Sequence, residues 1–140
     1  HAHRAGHAAF TRLPYQGISM LTIADVARLL GVDQLHIGTV VGKMEGGEEE
    51  VEEIQEEMEQ SLVRPRGHRL AENWGRIKPV FAVCSGGLHP GMVPSLARML
   101  GNDIIIQAGG GVHGNPLGTS AGAAAMRQAV DAVMHGFSLR

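Results

Sequence analysis

The sequence predicts an α/β fold built on parallel strands. Two apolar runs without alternation, Val80-Phe81-Ala82-Val83 and Ile104-Ile105-Ile106, read as strands covered on both faces. Helical patterns follow the strands in the order β-α-β-α-β-α, with one further helix and a strand end at His1 to Arg4 in front. Repeated βα units imply parallel pairing and right-handed crossovers. Glycine clusters then mark each strand end, at Gly38 to Gly42, Gly86-Gly87 and Gly109-Gly110-Gly111. An open doubly wound sheet and a (β/α)8 barrel both fit, although the four βα units counted here are too few to close a barrel. In either arrangement ligands bind at the carboxyl ends of the strands.

The elements follow in order. His1 to Arg4 reads as the end of a strand. Ser19 to Leu30 is a helix with Ile23, Val26, Ala27 and Leu30 on one face, a capping box from Thr22 to Asp25, and Gly31 as its stop. Asp33 to Gly38 is a short strand. Glu48 to Val63 is a second helix, with Val51, Ile54, Met58 and Leu62 inward, glutamates on a solvated outer face, and an acidic first turn that suits the helix dipole. Arg64 to Arg76 is polar and irregular. Pro79 to Ser85 is a buried strand. Val93 to Leu100 is a helix with Val93, Leu96, Ala97 and Leu100 inward and Gly101 as its stop. Asp103 to Gln107 is another buried strand. Thr119 to Met134 is the last helix, with Met126, Val130 and Val133 at helical spacing as core filler.

Composition narrows the function. A chain of 140 residues fits one domain with a buried core. A formal net charge of −2 gives no global attraction to nucleic acid or an anionic membrane. Nine of the 14 acidic residues lie between Glu45 and Glu59, leaving 12 Lys/Arg against 5 Asp/Glu elsewhere. That basic remainder suits an anionic ligand. Cys84 is the single cysteine, so neither an intrachain disulfide nor a cysteine metal cluster forms, and a reducing compartment, the cytoplasm, is expected. No apolar run reaches membrane-spanning length. The opening His1-Ala2-His3-Arg4 has no Met and no signal-peptide pattern, and the chain is expected to be a fragment.

The glycine-punctuated strand ends carry the chemistry. Leu35 to Lys43, Ser85 to Gly91 and Gln107 to Gly114 each combine glycines with a Lys, His or Ser and precede a helical pattern. Without Cβ atoms the backbone N–H groups approach an oxyanion closely, and a following helix presents its positive end. Several such loops in series describe an anion-binding rim, for phosphate. His1, His3 and His7 fit neither one helix face nor a zinc-ligand spacing.

These motifs are long and keep their order. His1 to Ala8, Gly38-Thr39-Val40-Val41-Gly42-Lys43-Met44-Glu45-Gly46, Ser85-Gly86-Gly87, Gly109-Gly110-Gly111 and Arg127-Gln128-Ala129 together resemble the C-terminal half of the ribulose-bisphosphate carboxylase/oxygenase (RuBisCO) large subunit. The wording around Gly87 to Gly91 and Gly109 to Gly114 is similar to the archaeal form III enzymes. The resemblance covers the whole chain and implies a partial (β/α)8 TIM barrel over residues 1–140, comprising roughly the last four βα units with the first strand truncated. The N-terminal domain and first half-barrel would be absent. So would the carbamate-forming lysine and the acidic Mg2+ ligands, leaving no metal ligand in this chain.

The resemblance also implies residue roles. Arg4 would bind one phosphate of ribulose 1,5-bisphosphate, for which a planar guanidinium is well shaped. His36 and Ser85, backed by Gly86, would contact the substrate around the same phosphate. Gly87, Gly109 and Gly110, beside Gln107, would present backbone N–H groups to the other phosphate. Lys43, in a loop that closes over substrate, would reach CO2 and the developing carboxylate. His3 would lie near the enediolate and take part in proton transfer, with His1 and His7 as supporting neighbours. Asn115 departs from the His that the family often carries. The implied reaction is carboxylation to 3-phosphoglycerate with competing oxygenation, in AMP and nucleoside salvage, by a homodimer or an assembly of dimers. The alternatives are a RuBisCO-like isomerase or enolase of a phosphorylated sulfur-containing sugar, and a non-catalytic half-barrel.

Overall fold

A computed structural model describes residues 1–13, 15, 17–39, 48–67 and 69–139. In chain order its elements are α1 (Ala8–Thr11), α2 (Met20–Leu29), β1 (Gln34–Gly38), α3 (Glu48–Glu59), β2 (Leu62–Val63), β3 (Glu72–Asn73), β4 (Phe81–Ser85), α4 (Val93–Leu100), β5 (Ile104–Gln107), α5 (Gly110–His113) and α6 (Thr119–Met134). The strands β1, β4 and β5 form a parallel sheet in that order. Ala2 adds a parallel bridge to Leu35, so the segment before α1 runs beside β1 as the sequence anticipates.

Strand alternation divides the sheet into two faces. Leu35, Ile37, Ala82 and Cys84 join the core with Met20, Ala24, Val51, Ile54, Met58, Leu88, Leu96 and Leu100. His36, paired in register with Val83, and Ser85 lie on the opposite face. The helical side is thus filled by apolar side chains, and the polar strand-end residues are left to the other side. Cys84 is fully buried and its thiol is pushed up to about 12 by burial, then by Glu59. It is packing, not a nucleophile. Among the described residues no helix is long and apolar enough to cross a membrane.

Several expectations need correction. The cap of α2 is Ser19, whose Oγ accepts the Thr22 N–H at 3.1 Å, so the Thr22 to Asp25 box is not the helix start. Its buried stripe is Met20, Ala24 and Arg28, while Val26 and Leu30 are exposed. α3 stops at Glu59, short of Val63, because Arg28 takes the last carbonyls. The guanidinium donates to Glu57 O and, at 2.7 Å, to Gln60 O. Satisfying those orphan acceptors from outside removes the need to continue the helix. Leu62 is consequently an exposed strand residue, paired through β2 with β3 inside the stretch expected to be irregular. Phe81, at the start of β4, is exposed rather than buried. β5 is the outer strand, so its isoleucines are only half-buried.

α4 and α6 follow the expected boundaries, although the fully buried positions of α6 are Gly122 and Ala129. The short α5 was not anticipated. Its position follows from close approach: a Cβ on Gly111 would lie 2.0 Å from Leu88 O, and one on Gly122 would lie 2.0 Å from Val112 O. Only glycine lets α5 press against both the 85–91 turn and α6.

Candidate functional site

The carboxyl ends of β1 and β4, with the segment leading into α1, enclose an open concavity of about 380 Å3. His3, Arg4, His7, His36, Ser85 and Gly86 line it. Backbone register explains the convergence. Ala2 N–H donates to Gln34 O at 2.8 Å and His36 N–H donates to Ala2 O at 3.2 Å. This pairing places His1 and His3 on either side of His36, with ring centroids 4.7 and 4.5 Å away. A shift in register between His36 and Gly38 then turns the strand end. Gly86 and Gly87 follow Ser85 with φ of 111° and 68°, a turn that side-chain-bearing residues rarely adopt.

Hydrogen bonds fix the imidazoles. His36 Nδ1 lies 2.7 Å from Ser85 Oγ, and His36 Nε2 lies 2.7 Å from His1 Nε2. His1 Nδ1 in turn lies 2.7 Å from Gln34 Oε1. His36 is buried, and its pKa is pulled below the ordinary imidazole range by burial first, then by His3 and Arg4. His7 is lowered by burial, then by Arg4, and its Nδ1 lies 2.9 Å from Thr11 Oγ1.

Arg4 is half-buried at the floor of the concavity and of an adjoining cleft that reaches Glu50. Burial lowers its pKa and Glu50 opposes the shift. Among the described residues its guanidinium makes no hydrogen bond or ion pair within the chain. A half-buried cation without a partner among the described residues, beside imidazoles and a serine hydroxyl, is suited to an anion with several acceptor oxygens.

The structure therefore brings together His3, Arg4, His36, Ser85 and Gly86. Gln107, Gly109 and Gly110 sit at the end of β5, where Ser85 pairs in register with Gln107. They and Gly87 do not line this concavity. Gly109 precedes α5, whose first amides have no carbonyl one turn back within the helix. Lys43 lies outside the described residues. His1 and Gln34 emerge as parts of the site that sequence reasoning underrated. A polar Gln at the strand start offered the only signal for the second.

A second polar cluster, between α2, α3 and β3, was not foreseen. Carboxylate oxygens of Asp25, Glu57 and Glu72 lie within 4.8 Å of one another. Glu57 is 1% exposed, which overturns the reading of this run as a wholly solvated face. Arg69 bonds Glu56 at 2.7 Å and approaches Glu57 at 3.7 Å, and Arg28 stacks 4.6 Å from the Trp74 ring centre. These arginines explain the cluster as an internal ionic lock.

Comparison with known proteins gives the family. Residues 1–140 match the family described as ribulose bisphosphate carboxylase large chain, catalytic domain. The chain belongs to the RuBisCO large-chain family. It is 59% identical to the ribulose bisphosphate carboxylase of Methanocaldococcus jannaschii, covering 99% of this chain and 33% of that one. A dimeric archaeal RuBisCO from Hyperthermus butylicus superposes with a TM-score of 0.87 at 50% identity, covering 97% of this chain and 32% of that one. An octameric RuBisCO from Pyrococcus horikoshii superposes with a TM-score of 0.85 at 51% identity, covering 99% and 30%. The chain thus spans about a third of the length of these RuBisCO relatives.

Proposed function

We propose that the chain contributes the later strand ends of a (β/α)8 barrel to a protein that carboxylates ribulose 1,5-bisphosphate, with oxygenation as the competing reaction. The half-buried Arg4, without a hydrogen bond or ion pair among the described residues and beside His36 and Ser85, is the observation that carries this reading. Arg4 binds one phosphate as a fork of donors. His36 and Ser85 hold the adjoining part of the substrate, and His3, exposed on the rim, moves a proton near the reacting carbons. Gly87, Gly109 and Gly110, with Gln107, form the second phosphate subsite through backbone N–H groups. Lys43 stabilises the carboxylate as it forms.

The family implies a Mg2+ ion. The residues here do not fit it: imidazoles and a guanidinium line the concavity, whereas Mg2+ takes oxygen ligands. The Asp25, Glu57 and Glu72 trio is engaged by arginines on another part of the fold. In this reading the metal is held by strands outside this chain, and the roles above are those of residues that bind and orient substrate. The relatives described as a dimer and an octamer support an assembly of dimers. The archaeal resemblance supports consumption of bisphosphate derived from nucleoside monophosphates.

The test is radiolabelled bicarbonate incorporation by the full-length protein, with ribulose bisphosphate and Mg2+. Product labelling is expected from the full-length protein and none from the 140-residue chain alone. A full-length protein that fixes no label yet isomerises or enolises a phosphorylated sulfur-containing sugar would overturn the carboxylase reading.

A further inference from the structure

Asp25 on α2, Glu57 on α3 and Glu72 on β3 bring carboxylate oxygens within 4.8 Å of one another. Among the described residues, the charges facing them are Arg28 from α2, Arg69 from the turn before β3, and Glu56, which takes the closest bond of Arg69 at 2.7 Å. Arg69 is 3.7 Å from Glu57, and Arg28 directs its bonds to the carbonyls of Glu57, Gln60 and Ile77. Two guanidiniums therefore fall short of three carboxylates. Asp25 Oδ1 and Glu57 Oε2 are buried without a hydrogen-bond partner among the described residues. The neighbouring donors do not supply one, because Arg28 Nε and Trp74 Nε1 are unpartnered too. The indole faces Glu57 closely enough to oppose its pKa shift, short of bonding geometry.

Glu57 is 1% exposed, so water screens the repulsion poorly. A proton on any one carboxyl removes two of the three pairwise repulsions and supplies an O–H donor for an orphaned oxygen. Burial and the neighbouring carboxylates act in the same sense, raising Asp25 to about 6 and Glu57 to about 7. The trio also spans a joint. β2 and β3 pair only through Leu62 with Asn73 and Val63 with Glu72, apart from the main sheet. So short a ribbon is not stable by itself. Leu62 and Leu70 are exposed, Val63 and Trp74 are buried, and Glu72 links the ribbon to the cluster.

We propose that Asp25, Glu57 and Glu72 form a proton latch: one proton retained among them fastens the β2–β3 pair to α2 and α3, and its loss loosens that pair. The latch is independent of the carboxylase reading. Opening returns the carboxyls to water, where they ionise at ordinary values. Folded values above the unfolded ones make the stabilisation full below a pH of about 4.3 and lost by about 7. Over that interval the opening constant rises by up to about tenfold per pH unit, then levels off.

The test is backbone amide exchange in the full-length protein, read at Trp74, whose N–H donates to Ser61 O at 2.9 Å, and at Gly122 in α6 as the reference. Each rate is divided by that of the unstructured peptide. Between a pH of about 5 and about 7, protection at Trp74 is expected to fall at least about tenfold, with Gly122 unchanged. Glu57→Gln carries a fixed N–H donor and no charge. It is expected to remove most of that pH dependence and to leave Trp74 at least about tenfold better protected than in the wild type at a pH of about 8. Glu72→Gln, at the less buried end of the trio, should flatten the profile likewise and serves if Glu57→Gln fails to fold. A flat wild-type profile, an equal fall at Gly122, or a wild-type slope in the folded variant would overturn the proposal. So would Mg2+ that restores Trp74 protection at a pH of about 8 in the wild type and not in Glu57→Gln, since the trio would then hold a cation in place of a proton.

Discussion

Arg28 and Arg4 have opposite surroundings. Arg28 is 1% exposed, donates to the backbone carbonyls of Glu57, Gln60 and Ile77, stacks on Trp74 and faces Asp25, Glu57 and Glu72. Arg4 is half-buried and, among the described residues, has only the more distant Glu50 as a carboxylate neighbour. The first cation is saturated by its own chain and holds α2, α3 and the β2–β3 pair together. The second carries the cost of desolvation without a partner among the described residues, which is how a binding site differs from a structural lock.

Arg28→Ala tests that contrast most severely. It strands the buried carbonyls of Glu57 and Gln60 and removes the cation that Asp25, Glu57 and Glu72 face, so a loss of about 3–5 kcal/mol of folding stability is expected in denaturant unfolding. A loss below about 1 kcal/mol would mean that the lock is not holding the helices.

Gly111→Ala probes the joint between the two glycine turns. The new Cβ would meet Leu88 O, and a destabilisation of about 1–3 kcal/mol is expected from this overpacking. The strand-end concavity should distort with it. A variant with wild-type melting temperature and wild-type bisphosphate affinity would show that α5 can withdraw freely.

Arg4→Ala should behave in the reverse sense from Arg28→Ala. Folding stability should change by no more than about 0.5 kcal/mol, since no internal bond is lost. Bisphosphate affinity in the full-length protein should fall by about 1.5–3 kcal/mol, measured calorimetrically. Unchanged affinity would remove Arg4 from the phosphate site.

The gentlest test uses pH. Burial, with Glu72 second, raises Asp25 to about 6; burial, with Asp25 and Glu72 behind it, raises Glu57 to about 7. Folded carboxyls that hold protons more tightly than unfolded ones stabilise the fold below the unfolded carboxylate range. That contribution is lost as pH rises through about 6 and about 7. His36 and His7 act oppositely: their lowered values contribute stability above the ordinary imidazole range, and it is lost as pH falls through their folded values. Glu57→Gln should therefore reduce the fall in melting temperature between a pH of about 4.3, the ordinary glutamate value, and neutrality. Parallel melting curves for the two proteins would show that Glu57 is not the titrating group.

Much of this was legible in the chain. Uninterrupted apolar runs fixed β4 and β5, and the 3.6-residue period with glycine stops fixed α4 and α6, because local burial patterns repeat at the spacing of the element. The ordered motifs identified the family and named Arg4, His36 and Ser85, which the sheet register then gathers at one concavity. Tertiary structure alone decided the rest. Arg28 occupies an inward position that an apolar stripe would assign to a hydrocarbon, because it meets carbonyls contributed 29 and 32 residues away. Glu57 is inward in a run of glutamates whose other members gave no sign of it, because Arg69 and Trp74 reach it from beyond the helix. His1 gains its meaning from a ring 35 residues along the chain. Residue pattern reports which side chains prefer burial. Which distant partner makes a buried charge tolerable is settled only when the strands and helices meet.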